Sequence, residues 1–315
     1  MHLRRRQLVL GGTLAAAFPR LARAEAVVRG AKTVLGRFTT TYPSDQAHKA
    51  RAFNVELAAE AIDNHTILPG ASFSFNDAVG ERTAAFGYAK AVVLRDGMIA
   101  EGMGGGACQV ASTLHAAALL AGFDIVARAP HSRPSAYIRM GLDATVAFPK
   151  IDLKLRSTAT GPVVIHARAA RGSLEVWLDT TAQNKLDVSI RSEILERTPF
   201  ERVFERDRSL AGDRPRIAAF GIPGYRVQRT REMRAPDGPV RRDVRIDVYP
   251  PVNQVVRVPS SWSAPSTQAS EGEDLPDAAR GPSLAALPVV DASVVRPVLV
   301  QLRPSTLVVL ENAGP

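Results

Sequence analysis

The sequence predicts an α+β protein, with helices packed on antiparallel strands in a compact first domain and a smaller β-rich module after it. Two stretches with helical apolar spacing, near residues 45–62 and 107–121, lie among short runs rich in Val, Ile, Thr and aromatics that end at Gly, Pro or Asn. The runs at Leu153–Arg156, Val163–Arg168 and Leu174–Leu178 follow one another without intervening helices, which favours antiparallel order. From about Thr181 apolar and polar residues alternate at the strand period, as in Val188-Ser189-Ile190 and Val244 to Tyr249. With 315 residues and 45% hydrophobic content the chain can bury one good core and a second, smaller one.

The start of the chain is an address. Met1 to Gln7 is basic, Leu8 to Phe18 is apolar and small, and Ala22-Arg23-Ala24 fits a small-x-small cleavage site, so residues 1–24 read as a secretory signal peptide. The arginines before the apolar run resemble a twin-arginine signal. No later stretch approaches the roughly 18–20 apolar residues needed to cross a bilayer, so an exported periplasmic or extracellular envelope protein is expected, with no transmembrane segment after signal removal. The formal charge of +9 includes five arginines and no acid in that signal, leaving about +4 for the rest. Nucleic acid is therefore a poor partner, and an anionic envelope polymer a better one. Cys108 stands alone, so no intramolecular disulfide can form in an oxidising compartment.

In order, Lys32 to Tyr42 is a strand ending at Pro43, and Ser44 or Asp45 can cap a helix to about Ile62 whose Phe53, Leu57 and Ala61 share a face. Pro69-Gly70 turns the chain into a short strand at Ser72 to Phe75, with a second turn at Asn76-Asp77. Ala91 to Leu94, a turn at Arg95-Asp96-Gly97 and the following residues form a hairpin leading to Gly104-Gly105-Gly106. The helix from Ala107 to Ala121 shows Val110, Leu114, Ala117, Ala118 and Ala121 on one side, with Gly122 at its C′ position. Phe123 to Ala127 is a strand, and a polar loop, Arg128 to Pro134, follows. The β-rich module spans 181–259, with a hairpin of Tyr225–Met233 and Val240–Tyr249. Residues 260–282 have the Ser, Pro, Ala and acid content of a disordered linker, and 283–315 can supply a strand or two.

Cys108 is the chemical focus. It lies where a glycine loop enters a helix, and unpaired N–H groups and the helix dipole there favour a thiolate. The glycines leave room for a substrate or oxyanion to approach backbone donors at Gly105, Gly106 and Gln109. The competing reading is a buried cysteine acting as a small hydrophobe. His115 shares the helix but lies about 10 Å along its axis from Cys108, so it reads as a half-buried helical histidine. His131, in the polar loop, is the better candidate for general base or imidazolium partner. Asp143 either orients His131 or, with Thr145, fixes a turn. Arg82 and Arg133 can bind a peptide carboxylate, Ser112 bonds backwards along the helix or lines the site, and Tyr137 is a further substrate-binding candidate. Neither His-x-x-x-His nor paired cysteines occur, and the Gly102–Gly106 cluster lacks the Lys-Ser/Thr of a phosphate loop, so neither metal nor cofactor is expected.

Several ordered blocks between about Val34 and Asp179 resemble the VanW domain family. They are Leu68-Pro69-Gly70-x-x-Phe73-Ser74-Phe75-Asn76, Val79-Gly80-x-Arg82-Thr83, Gly87-Tyr88, Gly104-Gly105-Gly106-x-Cys108-Gln109-Val110, Ala121-Gly122, Pro130-His131-Ser132, Tyr137 and Gly141-x-Asp143-Ala144-Thr145-Val146. The resemblance implies a VanW-like domain over 30–180, a cell-envelope setting and a link to vancomycin resistance. It also implies L,D-transpeptidation of peptidoglycan stem peptides through a thioester on Cys108, or a related amide hydrolysis. The alternative is a non-catalytic peptidoglycan- or glycopeptide-binding module. This chain has Ala111-Ser112-Thr113-Leu114-His115-Ala116 where many members have Ser-Thr-Thr-Leu-Tyr-Asn, so His115 has no family support as a catalytic group. Residues 198–258 distantly resemble G5-type extracellular domains.

Overall fold

The computed structural model describes residues 32–95, 98–182, 186–210, 214–236, 238–259, 261 and 307–311. The expected export signal, most of the linker and most of the C-terminal segment lie outside these residues. The chain is strand-rich with few helices, 46% strand and 18% helix, compatible with the α+β class.

The first sheet has the order β1-β9-β8-β2, from β1 (Thr33–Thr41), β2 (His65–Ile67), β8 (Val163–Ala170) and β9 (Ser173–Thr180), all antiparallel. Two helices cover it, α1 (Lys49–Ile62) against β8 and α3 (Ala107–Leu120) against β1 and β9. At Gly36 a Cβ would collide with the Ala117 carbonyl, so glycine is what lets β1 approach α3 closely. Asp45 accepts from the Ala47 and His48 amides and starts a short 3-10 turn before α1.

Two local expectations are corrected. The buried face of α1 is Ala52, Val55, Ala58, Ala59 and Ile62, while Phe53 is 49% exposed. The spacing of Phe53, Leu57 and Ala61 points to a neighbouring face, of which Leu57 and Ala61 are only partly buried against the core, and a row of alanines allows α1 to lie close to its neighbours. After β3 (Ser72–Ser74) the chain forms a short helix, α2 (Phe75–Val79), in place of a turn, and Ser74 Oγ accepts from the Asp77 amide at 3.1 Å. α3 also departs from a one-sided amphipathic helix, since every residue in it except Cys108 is buried.

The hairpin β4 (Lys90–Arg95) and β5 (Met98–Met103) delivers the glycine loop. After α3, β6 (Asp124–Ala127) pairs with β7 (Lys154–Arg156), which also pairs with β3. The later part of the chain contains β10 (Asp187–Thr198), β11 (Arg202–Arg206), β12 (Arg216–Ala219), β13 (Gly224–Arg234), β14 (Val240–Tyr249), β15 (Gln254–Val258) and β16 (Leu307–Glu311). They form a sheet β14-β13-β10-β16 and a three-stranded sheet β11-β15-β12, in which β11 and β15 run parallel. Val188, Ile190 and Met233 join the same apolar cluster as α3. Arg231 on β13 donates to the Phe123 carbonyl at 2.7 Å, just past the C-terminal end of α3. The core therefore runs on across residue 181 without a break.

Candidate active site

Cys108 sits in the first turn of α3 and is half-buried. The glycines before it serve packing. A Cβ at Gly105 would strike the Val92 backbone, and one at Gly106, where φ is +121°, would lie 2.8 Å from Val55 Cγ2. The loop is thus pressed between β4 and α1, which fixes the start of α3. The Val146 amide points at the sulfur at 3.4 Å, and the Val146 carbonyl can accept from the thiol at the same distance. Val146 reaches the sulfur because Ser112, one turn along α3, ties the neighbouring loop down. Its Oγ donates to the Cys108 carbonyl at 2.7 Å and accepts from the Ala144 amide at 2.8 Å.

His131 follows Pro130 in the loop after β6. Its Nδ1 lies 2.8 Å from Asp143 Oδ2, and its own amide donates to the same oxygen at 2.6 Å. With Nδ1 engaged, Nε2 is left for the other side of the ring, where the Tyr137 hydroxyl lies at 3.3 Å. The thiol and the imidazole act on each other electrostatically, while the hydrogen-bond partners of the sulfur are the amide and carbonyl of Val146. Asp143 Oδ1 accepts from Arg128 Nη2 at 2.9 Å and from the Tyr249 hydroxyl at 2.6 Å. The order sulfur, imidazole, carboxylate is that of a thiol triad, with every oxygen of the acid satisfied.

The electrostatics agree. Burial pushes the Cys108 thiol up, but His131, then the Val146 amide and Arg82, outweigh it and the thiol ends below its ordinary value. Burial pulls His131 down, while its hydrogen bond to Asp143 and the charges of Cys108 and Asp143 lift it to about 9. Asp143, despite burial, is held far below the carboxylate range by His131 and Arg128. A thiolate–imidazolium pair is thus favoured from the thiol's lowered value up to about pH 9.

Two further cations act on the sulfur. Arg51 on α1 donates to Gln109 Oε1 at 2.7 Å and lies over the Tyr137 ring, and Arg82 donates to Asn76 Oδ1 and the Gly80 carbonyl at 2.7 and 2.9 Å. These acceptors are neutral, and one buried nitrogen of each guanidinium, Arg51 Nη1 and Arg82 Nη2, has no partner. Burial pulls both guanidinium groups down from their ordinary range, and the charge of Cys108 opposes this in each.

The structure thus brings together Cys108, His131, Asp143, Tyr137 and Arg82. Gln109 takes part differently from the expectation. Its amide is spent on the Gly106 carbonyl at 2.9 Å, and its side chain bonds Arg51, Thr40 and the Thr41 carbonyl. Gly105 and Gly106 shape the loop as described above. Ser112 is fully buried and braces the Asp143 loop, so it does not line a site. Arg133 has no hydrogen bond or ion pair to this cluster among the described residues, and burial pulls it down from its ordinary range. His115 is fully buried, with Nδ1 2.7 Å from the Leu142 carbonyl, and burial together with Arg128 and Arg229 holds it well below its ordinary value. Arg51, Arg128, Val146 and Tyr249 were not foreseen. Val146 closes the Gly141-x-Asp143-Ala144-Thr145-Val146 block and Arg128 lies three residues before His131, but neither is assigned a role from the sequence. Among the described residues no group of three His, Cys, Asp or Glu side chains converges as a metal site.

The scaffold thus seats Cys108 at the start of a helix, with the His131–Asp143 pair beside it. Residues 50–178 match the family model described as "VanW like protein", the family that the motif blocks resemble. Two relatives agree. The chain is 41% identical over 144 residues to "Uncharacterized protein YoaR" of Bacillus subtilis (strain 168), covering 46% of this chain and 47% of that protein. It is 30% identical over 112 residues to "Vancomycin B-type resistance protein VanW" of Enterococcus faecalis (strain ATCC 700802 / V583), covering 34% and 41%. The chain spans about half the length, or less, of these relatives. A solved "IgA1 Protease G5 domain structure" matches 25% of this chain and 95% of that one at 20% identity and a TM-score of 0.18, a likeness that carries no argument.

Proposed function

We propose that this protein is an exported cell-wall protein whose Cys108 transfers acyl groups of peptidoglycan stem peptides, as an L,D-transpeptidase-like enzyme or a related amide hydrolase. The observation that carries the reading is the Cys108–His131–Asp143 line, with the thiol lowered and the imidazole raised to about 9. The Cys108 thiolate attacks the carbonyl carbon of the scissile amide, and the oxygen takes up the charge. The C–N bond breaks as His131 passes its proton to the departing amine, leaving a thioester. An acceptor amine, or water, then attacks the thioester and gives its proton to His131, and Cys108 leaves as thiolate.

Arg51 and Arg82 support an anionic substrate. A half-buried guanidinium without a hydrogen-bonded carboxylate partner is costly, and Arg51 and Arg82 bond neutral acceptors only, with the charge of Cys108 acting on both. A peptide carboxylate near the scissile bond would supply the missing charge. The cell wall as the site of action, and export, rest on the motif blocks, the signal-like N-terminus and the name of the resistance relative. Among the described residues no helix is long and apolar enough to cross a membrane.

The test is incubation with muropeptides followed by intact-mass measurement. Wild type should gain the mass of an acyl group and yield crosslinked or trimmed products, and Cys108→Ala neither. If wild type forms no adduct or product while Cys108→Ser retains wall binding and biological activity, the non-catalytic binding module is the correct reading.

A further inference from the structure

We propose that β14, which lies outside the family-matched segment, completes the triad, with Tyr249 as the positioning residue for Asp143. The proposal rests on reading Cys108, His131 and Asp143 as a reactive triad. The matched segment ends at residue 178 and holds all three, yet one of the two donors on Asp143 Oδ1 comes from Tyr249, 106 residues along the chain. The other donor, Arg128, is itself gripped from β14, since its Nη1 bonds Asp247 and its carbonyl accepts from Arg245 Nη2 at 2.9 Å.

The direction of the Tyr249 hydroxyl is settled by its second bond. The Gly141 amide donates to the phenol oxygen at 2.8 Å, so the phenol proton is free to point at Asp143 Oδ1, 2.6 Å away. Tyr249 is 1% exposed, and its ring packs with Tyr225 and Val227 of β13. A rigid, buried donor on one oxygen of Asp143 leaves the other oxygen facing His131 Nδ1. Remove it, and Arg128 alone holds Oδ1, the Gly141 amide is orphaned, and the carboxylate is free to turn toward the guanidinium and away from the imidazole. The charged and titratable groups around Asp143 are His131 and Arg128 from the loop after β6, Asp247 and Arg245 from β14, Arg229 from β13 and His115 from α3. Tyr249 is the neutral donor among them.

Cys108 is the only cysteine in the chain, so alkylation by iodoacetamide reads this site without any knowledge of the substrate. Rates would be measured against pH on the full chain for wild type, Tyr249→Phe and Val256→Ala, with melting curves for each. Val256 is buried on β15, in the sheet β11-β15-β12 that holds none of the network's residues, so its truncation is expected to lower stability alone. Tyr249→Phe should raise the thiol's apparent pKa by about half a unit and slow alkylation at pH 6 about threefold, with Val256→Ala leaving the profile in place. A Tyr249→Phe profile that coincides with wild type, or moves to lower pH, overturns the proposal. Should that variant not fold, the 13Cζ resonance of Tyr249 in wild type decides. It should step at the pH where the thiol ionises, and a flat resonance sinks the idea. A wild-type thiol with an ordinary alkylation profile fails the triad reading first, and is recognisable as that separate failure.

Discussion

The two sides of Cys108 are built on opposite principles. On the His131 side each central charge meets an opposite one: Asp143 accepts from His131, Arg128 and Tyr249, and Arg128 in turn bonds Asp143 and Asp247, while bare atoms occur further out, at Asp247 Oδ2 and on Arg229. On the Arg51 and Arg82 side two guanidinium groups face the sulfur with neutral acceptors only and a bare nitrogen each. A chain of paired buried charges holds one geometry, whereas a buried cation with neutral acceptors only is costly and gains most from an added anion. In the reading proposed above, the first side tunes the thiol and the second side receives the anion of its substrate.

The sharpest way to break this contrast is at His131. His131→Asn removes the group that does most to lower the thiol, so Cys108 should return to an ordinary value or, being buried, above it. Alkylation at pH 6 should then slow by about two orders of magnitude. In wild type the rate should climb through the lowered thiol value. Turnover that needs the imidazolium proton should decline again near pH 9, where His131 loses it. An alkylation profile that is the same in both proteins would show that His131 does not control the sulfur.

Asp143→Asn comes next. It strips Arg128 of a buried counter-charge, with an expected loss of about 3–5 kcal/mol in denaturant unfolding. It should also lower the His131 value, moving the basic limb of the turnover profile to lower pH. A variant that loses stability but keeps the basic limb would reduce Asp143 to the turn-forming role that the sequence left open.

Much of this site was legible in the chain and some of it could not be. Cys108 stood out as a lone thiol at a loop-to-helix junction, and helix geometry alone separated His131 from His115. The pairing of Asp143 with His131 joins two loops, so no periodicity announces it, and the residue kept two readings. Arg51 lies 58 residues before the Gln109 it holds, on a helix whose buried face was itself misjudged through its alanines. Tyr249 belongs to a strand whose alternation predicts an element but not what its inward side chains touch. Local pattern carries elements and reactive types, whereas the counter-charges that tune them arrive through tertiary packing.

On the unpaired side the expected effects are smaller and of another kind. Arg82→Gln should cost little stability, because it removes a charge that has no carboxylate partner, yet it should weaken capture of a carboxylate-bearing peptide about tenfold. The comparison that isolates the charge is the same peptide with its C-terminus amidated. If the carboxylate and amide forms lose affinity equally on Arg82→Gln, the guanidinium is holding Asn76 and Gly80 rather than waiting for an anion.

The smallest change at the sulfur is expected from His115, the other buried histidine near Asp143. It is held neutral by burial and by Arg128 and Arg229, and its Nδ1 bonds the Leu142 carbonyl just before Asp143. His115→Gln keeps a polar group there but not the ring, so unfolding should become easier by about 1–2 kcal/mol. The alkylation profile of Cys108 should remain where it is, because a neutral ring contributes no charge to the pair. A shift of the profile by half a unit or more would mean that the Leu142–Asp143 loop moves with His115. In that case the paired side would extend through α3 to a second histidine, and the boundary drawn between the two sides of Cys108 would have to be redrawn around it.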